Sequence, residues 1–170
     1  KKTIATKPEE IVKSVSPDKH TFDQELARLT TAVDQSPETV APYYARGVYL
    51  MQLGRWSDSV KDFSHARDLN RHSPYEWMWV ATSLIMAGDD DGYRQHCQDM
   101  VREFQSIDVP NVADIVCKVA LLKPDVVKLD ELPIQRIRDA AADPELVQLR
   151  PYFAACCALI SHREGKPQQA

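Results

Sequence analysis

Glycine is scarce in this sequence, with five residues in 170 against eleven prolines. Average usage would give about twelve glycines in a chain of this length. Nucleotide-binding folds spend glycine on phosphate loops and hairpin-rich β folds spend it on turns, so both classes are disfavoured. The GxxxxGK[ST], GxGxxG and GxSxG patterns are missing, and with them the phosphate cradle and the nucleophile elbow. No apolar run approaches the roughly 18 residues that a membrane crossing needs. No signal-peptide pattern stands at the start, and an opening Lys1 in place of Met suggests a fragment of a longer protein. The net charge is −4 and no dense Lys/Arg patch occurs, so neither nucleic acid nor a membrane is expected as a partner.

Reactive constellations are lacking too. Cys97, Cys117, Cys156 and Cys157 form no CxxC pair. They are expected to be core thiols of a protein in a reducing, cytoplasmic compartment. A zinc site would have to gather Cys156, Cys157, His162 or His96 from separate helices, and no standard ligand spacing supports one. His96 and Cys97 are adjacent, so on a helix their side chains diverge by about 100° and cannot act as base and nucleophile. Asp89, Asp90 and Asp91 lack the glycine and distal glutamate of a calcium loop and suit a helix start better. His20, His65 and His72 fall at expected helix ends or loops. No catalytic residue, metal or cofactor is therefore expected, and the chain does not read as an enzyme.

What is present is folded-domain composition: 44% hydrophobic and 27% charged residues. One domain of this size buries about 70% of its unfolded surface. The order inside it is a repeat. Tyr43, Gly47, Leu50 and Gly54, moved along by 34 residues, become Trp77, Ala81, Leu84 and Gly88. The 4-3-4 spacing keeps the set on one helical face and puts glycine at the helix end. Phe63 and Ala66 fall on Cys97 and Met100 by the same shift, and on Leu29 and Ala32 by the reverse one. Beyond residue 107 the period loosens, although Pro151 to Gly165 matches Pro74 to Gly88 at 14 residues.

Helices are predicted at 19–35, 41–53, 57–70, 75–87, 91–105, 111–122, 134–142 and 146–163. Asp58, Asp90 and Asp91 belong to first turns, where carboxylates suit the free N–H groups. Lys123 to Pro133 reads as an extended loop between prolines, and the best β candidates, Val126 and Val127, sit inside it. Residues 1–18 read as a linker with at most a short helix from Pro8 to Ser14. The remainder divides into a half repeat (19–39), repeats at 40–73 and 74–107, a degenerate repeat (108–150) and a truncated one (151–170). Gly165 would open a turn whose next helix lies past Ala170.

A helix–turn–helix unit of this period resembles the tetratricopeptide repeat, whose pattern is aromatic-x-x-Leu-Gly-x-x-Tyr followed by Ala-x-x-x-Phe. The first copy gives Tyr43-x-x-Arg46-Gly47-x-x-Leu50, then Ser59-x-x-x-Phe63. The second gives Trp77-x-x-Val80-Ala81-x-x-Leu84, then Tyr93-x-x-x-Cys97. The resemblance implies an all-α, right-handed solenoid of about seven to nine helices arranged as antiparallel pairs. Two departures carry expectations. Arg46 in place of leucine must be solvated or paired, and Tyr93 in place of a small residue should widen the packing of its pair. The stretch Gly88 to Met100 is also similar to repeat segments of large bacterial multidomain proteins, some with a serine/threonine kinase domain. That likeness implies a structural, regulatory or docking arm.

In this family the first helices of successive pairs line a concave groove that holds peptides or partner helices. By register that face here consists of Tyr44, Val48 and Met51, then Tyr75, Met78, Thr82 and Ile85, then Asp114, Lys118 and Leu121, with Tyr152, Leu159 and His162 from the last helix. Trp79 is placed at its edge as an anchor. Such a face suits an apolar helical or extended segment of a protein better than an acidic tail. Apart from Lys118, the basic residues that clamp a carboxylate are missing from it.

Overall fold

The turn glycines take the backbone shape that their spacing demands. Gly54, Gly88 and Gly165 have φ of 69°, 74° and 74°, the left-handed region where a Cβ is costly. At Gly88 the chain closes a Schellman turn: its N–H reaches Ile85 O, and the Asp89 N–H reaches Leu84 O. Gly54 repeats this one period earlier, with Gly54 N–H on Met51 O and Arg55 N–H on Leu50 O. A side chain at either glycine would raise the energy of the turn that folds one helix back on the last.

The computed structural model describes residues 19–165; the expected linker at 1–18 and residues 166–170 lie outside the described residues. Among the described residues the fold is all-α, with eight α-helices, two 3-10 turns and no strand. The helices are α1 (Lys19–Gln35), α2 (Val40–Gln52), α3 (Trp56–Leu69), α4 (Pro74–Ala87), α5 (Asp90–Phe104), α6 (Pro110–Ala120), α7 (Ile134–Ala142) and α8 (Arg150–Arg163). Pro74, Pro110 and Pro151 stand in first turns, where the missing N–H has no intrahelical partner to lose. The Asp89 side chain accepts from the Gly92 N–H at 2.8 Å, so the aspartate triplet opens α5 as a cap.

One boundary differs from expectation. The last helix begins at Arg150, not at 146, and a separate 3-10 turn covers Pro144–Leu146. Pro151 has no N–H to donate to the carbonyl four residues back, so the α-helical hydrogen-bond ladder starts with the proline in its first turn and does not extend back to 146.

Each helix packs on its neighbours in sequence, α4 also meets α6, and α6 also meets α8. No helices further apart in order pack extensively. Such near-neighbour packing is consistent with a helical repeat. The repeat-equivalent positions all enter the core: Tyr43, Leu50, Phe63, Ala66, Trp77, Ala81, Leu84, Cys97 and Met100. In α1 the buried pair is Leu29 and Val33, one position on from the expected Ala32. The loop after α6 contains a 3-10 turn, Leu129–Glu131, and sends Val126 and Leu132 into the main core.

Both departures from the repeat pattern have structural answers. Arg46 is paired: it donates to both Asp62 carboxylate oxygens, at 2.8 and 2.7 Å, from α2 to α3. The Asp62 side chain is 6% exposed, so Arg46→Leu strands a buried charge and should cost about 2 kcal/mol, discounted for the partial exposure of Arg46. Arg46→Leu with Asp62→Leu should recover to within about 1 kcal/mol of wild type in urea denaturation, because a matched apolar pair replaces the ion pair. A double variant no more stable than the single one would contradict that account.

Tyr93 is fully buried, and its hydroxyl donates to Val119 O on α6. The ring thus reaches past its own pair to α6, and α4 and α5 pack on each other less extensively than α2 and α3. Burial pushes the Tyr93 hydroxyl far above its ordinary range, so it remains a neutral donor.

Candidate partner-binding face

The first helices α2 and α4 are joined by aromatic rings. Tyr44 meets Trp79 edge-on at 5.8 Å and Phe63 edge-on at 5.9 Å, while Phe63 stacks on Trp79 at 5.7 Å and 22°. Gly47 makes this possible. A Cβ there would lie 2.9 Å from the Phe63 ring, so only glycine lets the ring seat against α2. Tyr44 is 37% exposed and Trp79 half-buried, which leaves ring surface open over a buried Phe63.

Around this node the expected residues share an intermediate state. Val48, Met51, Met78 and Ile85 are half-buried and pack on the core from its outer side. Tyr75 is 57% exposed, and the Thr82 hydroxyl turns back to donate to Met78 O at 2.9 Å. The other end of the face is polar. Lys118 Nζ donates to Asp114 Oδ2 at 2.7 Å and lies 5.7 Å from the Tyr152 ring centroid, linking α6 to α8. Among the described residues no hydrogen bond, ion pair or ring contact joins the Tyr44–Trp79 cluster to the Asp114–Lys118 pair.

Two expected members sit deeper than their register implied. Leu121 is 3% exposed and belongs to the core, because α6 ends at Ala120 and the chain turns there. Asp114 is 7% exposed, with its Oδ1 buried and without a partner among the described residues. The addition of α8 against α6 covers it, which helical periodicity alone does not reveal. Leu159 is half-buried and His162 exposed. Phe63 as the backing of the face was missed; its Ala-x-x-x-Phe position marked it only as core.

The four cysteines are free, with Cys97, Cys117 and Cys156 buried and Cys157 half-buried. Burial pushes the Cys97 thiol up to about 12, and the neighbouring Cys117 thiol together with burial raises Cys156 further. A thiol-reactive dye at pH 8 should therefore label Cys157 slowly and the other three only after unfolding. Rapid labelling of two or more thiols in the folded chain would show that these sites open readily. Among the described residues no three His, Cys, Asp or Glu side chains converge as metal ligands. No helix among them is long and apolar enough to cross a membrane.

No family model matches this sequence and no curated protein is significantly similar to it, so the resemblance rests on the residues named above.

Proposed function

We propose that the helices form a right-handed, tetratricopeptide-like solenoid whose concave face binds an apolar segment of a protein partner, with no catalysis of its own. The observation that carries this reading is the Tyr44–Trp79 contact. Aromatic residues from two successive first helices meet across the face, keep surface open to solvent, and are backed by a rigid buried ring. Exposed aromatics anchored in this way lose little entropy on binding and are the residue types that dominate interface energetics. Met51, Met78, Val48 and Ile85 extend the apolar surface with side chains that adapt to irregular partners. A helix or extended strand of a partner, presenting aliphatic or aromatic residues every three to four positions, fits it.

Selection of displayed random peptides on the full chain tests the proposal. Apolar segments should be enriched and should bind near micromolar Kd, about −8 kcal/mol. Tyr44→Ala with Met78→Ala should weaken them at least about tenfold while helicity is retained. Peptides that bind the double variant equally well, or a double variant that no longer folds, would remove the face from consideration.

A further inference from the structure

Residues 121–133 connect α6 to α7 and form a much longer link than the turns at Gly54 and Gly88. The link does not lie flat. Val126 and Leu132 are buried, and the segment between them arches beside α5 and past the C-terminal ends of α6 and α8. Beneath it is a cavity of about 550 Å³, a volume common in small-molecule sites. Tyr44, Met78 and Trp79 do not line it.

One part of its wall is apolar, built from Leu121, Val126, Val127 and Leu129. The charged part carries four cations, Arg94, Lys123, Lys128 and Arg163, against the carboxylates Asp125 and Glu131. Arg94 is paired with Asp91, and Lys123 with Asp90. The other two cations have capacity to spare. Arg163 Nη2 donates to Leu121 O at 2.9 Å, but its Nε is buried and meets no acceptor among the described residues. Lys128 has no ion-pair partner among them.

We propose that this cavity binds a small organic carboxylate with an apolar body, the carboxylate on Arg163 and Lys128 and the hydrocarbon against Leu121, Val126 and Leu129. The Arg163 guanidinium makes one hydrogen bond among the described residues, to Leu121 O, and is only half-buried, so its outer edge can meet a planar carboxylate in a charge-assisted hydrogen bond. A monoanion fits better than a phosphate dianion. The excess of positive charge is small, and α6 and α8 turn the negative ends of their dipoles toward the cavity. This inference is independent of the groove, whose residues lie elsewhere.

The test uses the full chain, amide NMR and isothermal titration. The probes are hexanoate, octanoate and phenylacetate, with their matched alcohols, acetate and inorganic phosphate as comparisons. At least one of the three apolar carboxylates should bind with Kd below about 1 mM and shift amides of residues 121–131 and 160–165, with its alcohol at least about tenfold weaker. Lys128→Ala, an exposed change, should weaken that carboxylate about three- to tenfold without lowering Tm. Arg163→Lys should weaken it further if the fold holds. The proposal is overturned if none of the three carboxylates moves those amides at about 10 mM. It is equally overturned if the alcohols, acetate or phosphate bind as tightly, or if Lys128→Ala leaves affinity unchanged.

Discussion

Phe63→Ala is expected to destabilise the chain by about 4 kcal/mol, in the range for removing a fully buried phenyl ring. The ring touches two other helices: it stacks on Trp79 of α4, and on α2 it meets Tyr44 and fills the space that Gly47 leaves. Its loss leaves a cavity that rigid indole and backbone cannot close. The same geometry makes the effect of Gly47→Ala depend on background. In the wild type the added methyl lies 2.9 Å from a ring pinned between two aromatics, so about 1–3 kcal/mol of overpacking is expected. In the Phe63→Ala background that clash is gone, and Ala should gain about 0.5–1 kcal/mol from helix propensity. Urea denaturation of the four chains measures this reversal of sign. Two equal Gly47→Ala effects would mean that the ring is not what restricts the position.

The second large effect depends on pH and passes through His96. The ring is 4% exposed and tilted against Trp77 at 5.0 Å. Nε2 lies 2.8 Å from Trp77 O and Nδ1 3.3 Å from Arg67 Nη1. Those partners assign the neutral tautomer, with Nε2–H donating to the carbonyl and Nδ1 accepting from the guanidinium. A second proton would have to sit on Nδ1 facing a cation. Burial first, and the Arg67 charge after it, push the His96 pKa down to about 4. The unfolded chain protonates the same ring near the ordinary value of about 6.5. Between those values the unfolded state holds more protons, so the contribution of His96 is complete above pH 6.5 and is lost as pH falls toward 4. The loss is about 2 kcal/mol between pH 6.5 and 5, and about 3 kcal/mol by pH 4. His96→Gln should flatten stability between pH 7 and 5, before most carboxylates titrate. A wild-type slope that persists in the variant would place the sensitivity in another group.

The helices were legible in the chain to within one or two residues almost everywhere. Their ends carry strong local chemistry: glycine where φ must be positive, proline in first turns, aspartate at the start of α5. The core positions of the first two pairs were legible from the 34-residue period, since a buried face recurs with the helix that carries it. The candidate face was legible as a stripe but not as a surface. Tyr44, Val48 and Met51 follow helical spacing, yet which of them keeps contact with solvent depends on what the next helix covers. Asp114 and Leu121 show the limit: both lie on the expected stripe, and both are buried because α8 and the turn after α6 close over them.

The sequence alone determined most helix boundaries, the glycine turns and the interior positions of the first two pairs, because these follow from backbone geometry and periodicity within one or two turns of chain. Only the tertiary structure decided the rest: the pairing of Arg46 with Asp62, the seating of Phe63 between Gly47 and Trp79, the neutral His96, and the cavity under residues 121–133. Each of these depends on distances between groups 16 or more residues apart. Such distances are set by how whole helices settle against one another, which no local pattern encodes.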